Sequence, residues 1–447
     1  MERACCHGFQ APLGYALRMP SFRPGRVLIA VTALHGATHL FTIFLQPLNP
    51  VLKDFYGLTL DREVTFFQTL YLLVYAASNL VAGVLSTRFA PRMLLTAGPL
   101  LNGLAVACMA LLGPADYAGM CILTALGAAG GGLYHPVANL MLTEAFPESK
   151  GRVLGFTGIG SSLAFTLGPW GASALVQEAA WSWQQVALLF GAIGVGCGIF
   201  AYAAMPAIPH SSTVRGAAPQ AGDPSQDAPQ RLTARPAPKL SSVWLFAAFA
   251  VLVMAGREIA TWGTASITSM FLLGTYGQTR GAGFLLAMMF LPGLVIQPLA
   301  GRWSDRVGRE RVLGASMLVV TASLVLLPYT PRHLLVLAYL CLGTGMLATI
   351  PTFEALLADR SPARVRGLVF GLVITAGIGL GSLGPYLVGH VADAGERTPE
   401  SYRNAFLVLA ALSGACTFFT FGLKPIACML GLVDAAPTPS VVAAGAR

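Results

Sequence analysis

The chain is a series of long apolar runs separated by short polar breaks. The runs fall at 27–48, 64–87, 92–113, 116–146, 152–176 and 183–206, then at 241–274, 281–301, 311–329, 333–358, 365–391 and 404–425. About 20 apolar residues suffice to cross the roughly 30 Å hydrocarbon core of a bilayer as an α-helix. The runs are continuous rather than alternating, which argues against a transmembrane β-barrel. The pattern therefore predicts an all-α membrane protein with twelve transmembrane helices.

Composition supports the bilayer as solvent. Apolar residues make up 55% of the chain, charged residues only 11%, and the mean hydropathy is +0.67. A soluble protein carries about a quarter charged residues. The first 26 residues lack the arrangement of a cleavable signal peptide, so the first helix is expected to be retained. Residues 208–240 are rich in Pro, Ala, Ser and Gln and have no apolar period, as in a flexible linker. The expected organisation is an N-terminal tail (1–26), a six-helix half (27–207), the linker (208–240), a second six-helix half (241–425) and a C-terminal tail (426–447).

The halves repeat one another. Gly127, Gly151, Gly155 and Gly168-Pro169 each precede Gly343, Gly367, Gly371 and Gly384-Pro385 by 216 residues. Pro136 precedes Pro351 by 215, and the segment ending at Arg88 precedes the one ending at Arg306 by 218. Several matches at nearly one offset indicate an internal duplication with pseudo-symmetric halves.

Charge adds a topology. With both termini cytoplasmic, inside segments hold 21 of the 28 lysines and arginines, outside segments hold six, and Arg257 lies within a span. The net charge of +9 is spread over short loops and does not suggest a nucleic-acid partner. The eight cysteines contain no CxxC pair and read as small packing residues.

One break is strongly charged: Gly301-Arg302-Trp303-Ser304-Asp305-Arg306-Val307-Gly308-Arg309-Glu310-Arg311. It reads as a tight aqueous turn between two apolar runs. It resembles the glycine-x-x-x-aspartate-arginine-x-glycine-arginine signature of the major facilitator superfamily. The resemblance extends over about residues 25–425 and implies the major facilitator fold, with spans 1, 4, 7 and 10 around a central cavity. It also implies a conformational latch of Gly301, Asp305, Arg306, Gly308 and Arg309, with Asp305 pairing to Arg364 or Arg366. The first half departs from the signature, having Thr87 in place of Asp and Ala90 in place of Gly.

Polar residues inside the spans supply candidate chemistry. Span 1 carries His35, His39, Thr42 and Gln46 at steps of 4, 3 and 4, and span 7 carries Arg257, Thr261, Thr264 and Thr268 at the same steps. Such spacing places each set on one helix face. Span 2 adds Gln68, Tyr71, Tyr75 and Asn79, span 4 His135 and Asn139, and span 10 Thr344, Thr349 and Glu354. Each hydroxyl can alternatively bond back to its own helix. Arg257, Glu258 and Glu354 are strongly ionisable groups well inside spans, where a charge costs about 2.5–3.5 kcal/mol on insertion scales. Arg257 and Glu258 are sequence neighbours and point about 100° apart. Arg257 is therefore expected to pair with Glu354, which becomes a candidate coupling carboxylate. His35 and His39 have a spacing that suits a metal, but no third ligand is evident in sequence. No metal and no cofactor is expected.

Two further stretches carry local resemblances. Tyr134-His135-Pro136 resembles the fourth span of fosmidomycin-resistance-type efflux pumps, with Val137 where those pumps have an acid. That makes His135 a candidate proton site. Gly155, Ala164 and Gly168-Pro169-Trp170-Gly171-Ala172 resemble the glycine-proline motif of proton-driven antiporters, although Leu123 replaces the arginine those families carry in span 4. No P-loop, nucleophile elbow or HExxH is present, so neither ATP drive nor an enzyme is expected. The expectation is a monomeric secondary transporter in a bacterial inner membrane, exporting a small amphipathic or drug-like molecule against protons. Uptake of an organic anion at Arg257, or a non-transporting sensor or assembly protein, are the rivals.

Overall fold

The computed structural model describes residues 24–146, 150–205, 240–361 and 365–429. The expected linker, the two tails, Arg364, Cys5 and Cys6 lie outside them. The described residues form α-helices and short 3-10 turns, with no strand among them.

Each expected span is present. The first is α1 (Pro24–Ile43), a 3-10 turn (Gln46–Leu48) and α2 (Asn49–Phe55). Next come α3 (Asp61–Leu85), α4 (Pro91–Met109), α5 (Tyr117–Gly131), α6 (Tyr134–Ala145), α7 (Lys150–Gln177) and α8 (Trp183–Ala204). The second series is α9 (Leu240–Tyr276), α10 (Ala282–Phe290), α11 (Gly293–Val307), α12 (Arg309–Leu326), α13 (Leu335–Arg360), α14 (Arg366–Gly381), α15 (Leu383–Ala394) and α16 (Pro399–Met429). Eleven spans are long and apolar enough to cross a membrane, and the 28-residue α7 completes twelve. Leu80, Leu104, Ile122, Leu252, Leu337 and Phe418 are exposed. Large side chains of this kind along many helices fit lipid rather than water as solvent.

The breaks within spans have local causes. Span 4 divides at Gly132 and Leu133, so Tyr134 opens α6 and Pro136 sits in its first turn. Proline is tolerated there because first-turn N–H groups have no partner within the helix. The charged segment 301–311 is not an open turn as expected. α11 continues to Val307 and α12 starts at Arg309, so Gly308 alone reverses the chain, at φ 109°. Arginine and aspartate are compatible with helix, and Asp305 on α11 pairs across the break with Arg309, the first residue of α12.

Two compact units can be distinguished. Of the described residues, 24–44, 74–168 and 179–205 belong to the first, and 45–73, 169–178, 240–361 and 365–429 to the second. In the first, α4 packs along α8 through glycines. A Cβ at Gly103 would lie 2.7 Å from the Val195 nitrogen and 2.8 Å from the Gly191 carbonyl oxygen. Small residues let helix backbones approach this closely in a membrane, where association relies on packing. Val27, Val31, Leu34, Leu95, Tyr134 and Val137 form the core where α1, α4 and α6 meet. In the second unit, Phe246, Ala250, Leu313, Phe353, Leu357 and Val373 form the equivalent core.

Candidate functional site

In the first unit, the histidines of spans 1 and 4 converge. The potential ligand nitrogens of His35, His39 and His135 all lie within 4.8 Å of one another. His35 and His39 are one turn apart on α1, and their Nε2 atoms are 3.1 Å apart. His135 enters from the first turn of α6, with its ring centroid 5.0 Å from that of His35 and 5.3 Å from that of His39. Glycines set the approach of α1 and α7, since a Cβ at Gly36 would come within 3.2 Å of the Gly160 carbonyl oxygen. This contact lies one turn from the Thr157 carbonyl, which accepts from His35 Nδ1 at 2.8 Å. A carbonyl only accepts, so His35 is protonated at Nδ1 and its Nε2 offers a lone pair. His39 Nδ1 is buried with no hydrogen-bond partner. Tyr134 stacks on His35, and Phe165 lies against His39. Asn139, one turn beyond His135, is exposed.

The expected stripe on span 1 is interrupted. α1 ends at Ile43, and Gln46 lies in the following 3-10 turn, within the second unit. There it is buried, donates to Gln68 Oε1 and accepts from Ser266 Oγ at 2.9 Å. Its backbone carbonyl accepts from Ser269 Oγ at 2.9 Å. Gln46 thus joins a buried amide and hydroxyl network. Thr42 bonds back to the Thr38 carbonyl.

In the same unit the expected Arg257–Glu354 pair is replaced. Arg257 Nη1 pairs with Glu258 Oε1, and its Nε donates to Thr349 Oγ1 at 3.1 Å. The other oxygen of Glu258 accepts from Trp262 Nε1 at 2.7 Å. Neighbouring Cβ atoms do diverge, but both side chains are long enough to curl together. Glu258 sits where α9 presses on α14, with Gly381 directly against its Cβ. The pair is largely shielded, with side-chain exposures of 11% and 5%. Glu354 is exposed and takes no part in this pair. Thr261 bonds back to the Arg257 carbonyl at 2.9 Å, the ordinary structural use of a helical threonine.

Of the two expected partners of Asp305, Arg364 lies outside the described residues, and Arg366 is engaged elsewhere. Asp305 pairs with Arg309, which reaches Asp359 at 3.1 Å and Ser304 Oγ at 2.7 Å. Arg366 instead donates to the Ser361 carbonyl at 3.2 Å. Gly301 and Arg306 lie on the last turns of α11. Arg360 pairs with Glu310 at 2.6 Å.

One polar cluster had no counterpart in the sequence reading. Asp61 is fully buried, pairs with Lys53 and accepts from Tyr402 Oη at 2.8 Å. An acid opening a helix after a short polar break was the available signal.

Comparison with known proteins fits this architecture. The family model described as Major Facilitator Superfamily matches residues 28–265 and again 258–428. The chain belongs to that superfamily, and its many long apolar helices mark it as an integral membrane protein. It is 36% identical over 152 residues to an uncharacterized MFS-type transporter of Mycobacterium tuberculosis, covering 33% of this chain and 25% of that protein. It is 28% identical over 137 residues to multidrug resistance protein 1 of Bacillus subtilis, covering 30% and 35% of the two chains. It is 31% identical over 150 residues to the class E tetracycline resistance protein of Escherichia coli, covering 32% and 34%. The matched region thus spans about a quarter to a third of these relatives. Among solved structures, a bacterial homolog of the human lysosomal transporter Spinster superposes with a TM-score of 0.72 at 15% identity, covering 93% of this chain and all of that one. The nucleoside transporter NupG gives 0.68 at 13%, covering 89% and 99%.

Proposed function

We propose that the chain exports a small amphipathic or drug-like molecule in exchange for protons, by alternating access, from a bacterial inner membrane with both termini cytoplasmic. The observation that carries this reading is the contrast among the three intramembrane charges. Arg257 and Glu258 neutralise one another and hold further partners, whereas Glu354 is exposed and outside that pair. An exposed carboxylate beside a closed ion pair can take up and release a proton without breaking the pair. Partial similarity to multidrug and tetracycline resistance proteins supports export of a drug-like cargo.

The rival is uptake of an organic anion at Arg257. Engagement of that guanidinium by Glu258 and Thr349 favours export, because an incoming anion would have to displace both. The test is accumulation of fluorescent and toxic compounds in cells expressing the wild type or Glu354→Gln, with and without a protonophore. Export predicts lower accumulation with the wild type, reversed by the mutation and by the protonophore. Raised accumulation of one anion would support uptake instead, and no change across the panel would count against transport of these compounds.

A further inference from the structure

We propose that His35, His39 and His135 form a binding site for one divalent transition-metal ion of the Zn2+, Co2+ or Ni2+ class. The third ligand absent from the sequence pattern is His135, brought from α6 to the His35–His39 pair on α1. In a tetrahedral site with Zn–N bonds of about 2.0–2.1 Å, ligand nitrogens sit roughly 3.3 Å apart. The two Nε2 atoms at 3.1 Å match that edge, and the three ligand nitrogens lie within 4.8 Å of one another, so His135 must come closer for all three to ligate.

The hydrogen bond of His35 points the same way. Metal-binding histidines commonly donate their other ring N–H to a carbonyl, which fixes the tautomer and aims the free lone pair. The His35 Nδ1 bond to the Thr157 carbonyl does this. Without an ion, His39 and His35 must share a hydrogen between their Nε2 atoms. A bound ion would instead take the lone pairs of both Nε2 atoms, with the His39 proton moving to its Nδ1.

The donor set selects the ion. Three neutral imidazoles suit zinc, cobalt, nickel or copper, whereas magnesium and calcium require oxygen ligands. Three protein ligands leave a fourth position open to water, hydroxide or an anion. Because imidazole must be deprotonated to ligate, metal and protons compete for the cluster. Binding is read in the purified protein without transport, so this proposal stands or fails independently of the export reading.

The test uses the full chain in detergent with any affinity tag removed. Zn2+ is titrated against a chromophoric chelator, and Co2+ is followed by visible absorption. The expected result is one ion per chain, with affinity falling as pH is lowered. His39→Asn and His135→Asn should each weaken binding by about 100-fold or more, since loss of a group that merely hydrogen-bonds to a ligand costs about 10–100-fold. The exposed His333 and His390 provide controls, whose Asn variants should bind as wild type does. Absence of stoichiometric binding by the wild type would overturn the proposal, as would equal loss in the control variants. If the cluster variants do not fold, X-ray absorption of the Zn2+-loaded wild type decides the matter. Three imidazole ligands support the site and fewer reject it.

Discussion

The carboxylate of Asp393 accepts the backbone N–H of Asp61 at 2.7 Å with one oxygen and that of Arg62 at 3.1 Å with the other. A residue at the end of α15 therefore caps the start of α3 across 332 positions of sequence. The first N–H groups of a helix have no internal partner, and a negative charge there also meets the positive end of the helix dipole. Asp393→Ala removes both acceptors and should destabilise the protein by about 1–2 kcal/mol. Asp393→Asn keeps one acceptor and should cost less. Thermal melting of the purified protein in one detergent checks the order. Equal melting temperatures for wild type and Asp393→Ala would remove the cap from the account of stability.

The Arg257–Glu258 pair yields a second prediction. Removing one member of a shielded pair leaves a charge without compensation, whereas removing both does not. Glu258→Gln keeps the shape and an acceptor for Trp262 but strands the Arg257 charge, with an expected cost of roughly 3 kcal/mol. The double variant Arg257→Met with Glu258→Gln should recover most of that loss. A double-mutant cycle on melting temperature or denaturant midpoint measures the coupling. Strict additivity would mean that the pair contributes nothing as a unit.

These cases also mark what the sequence could and could not reveal. The twelve spans were legible because a bilayer demands long apolar runs, and the observed helices follow them closely. The close packing of span 4 was legible from its glycines, since Gly130 would place a Cβ 2.5 Å from the Gly98 carbonyl oxygen. Residues distant in sequence were not. His135 was visible as a titratable group and His35 with His39 as a helical pair. Their meeting depends on how α1 and α6 pack, which no local period encodes. Asp61, Lys53, Tyr402 and Asp393 sit at helix ends on four separate elements, so nothing in their own segments marked them as partners. Arg257 meets Glu258 because two long side chains can curl together although their Cβ atoms diverge.

Close glycine packing predicts opposite outcomes for one substitution at two places. Gly130→Ala would set a methyl group 2.5 Å from the Gly98 carbonyl oxygen and 2.8 Å from the Asn102 nitrogen. These are backbone atoms, so α4 and α5 must separate, at a cost of about 1–3 kcal/mol. Gly196 is exposed on α8, and a Cβ there would meet nothing within 4 Å. Gly196→Ala should instead stabilise by about 0.5–1 kcal/mol, because alanine loses less backbone entropy in a helix. Melting of the two variants under identical conditions gives the comparison. A loss at Gly196 as large as that at Gly130 would contradict the packing explanation.

The α11–α12 turn separates stability from conformational control. Gly308 has φ 109° and ψ 140°, a region that side chains with a Cβ rarely enter. Gly308→Ala should therefore cost about 1–3 kcal/mol through backbone strain alone. Asp305 is 58% exposed, and Arg309 keeps Asp359 and Ser304 when Asp305 is neutralised. Exposed ion pairs contribute about 0–1 kcal/mol, so Asp305→Asn should leave the melting temperature nearly unchanged. If the segment acts as a latch, the same substitution should still shift the balance between inward- and outward-open states. Accessibility of single cysteines introduced at the two ends of the spans would report that shift. A variant with wild-type melting and altered accessibility assigns Asp305 to the conformational equilibrium. Unaltered accessibility would leave the turn a structural connection whose essential residue is Gly308.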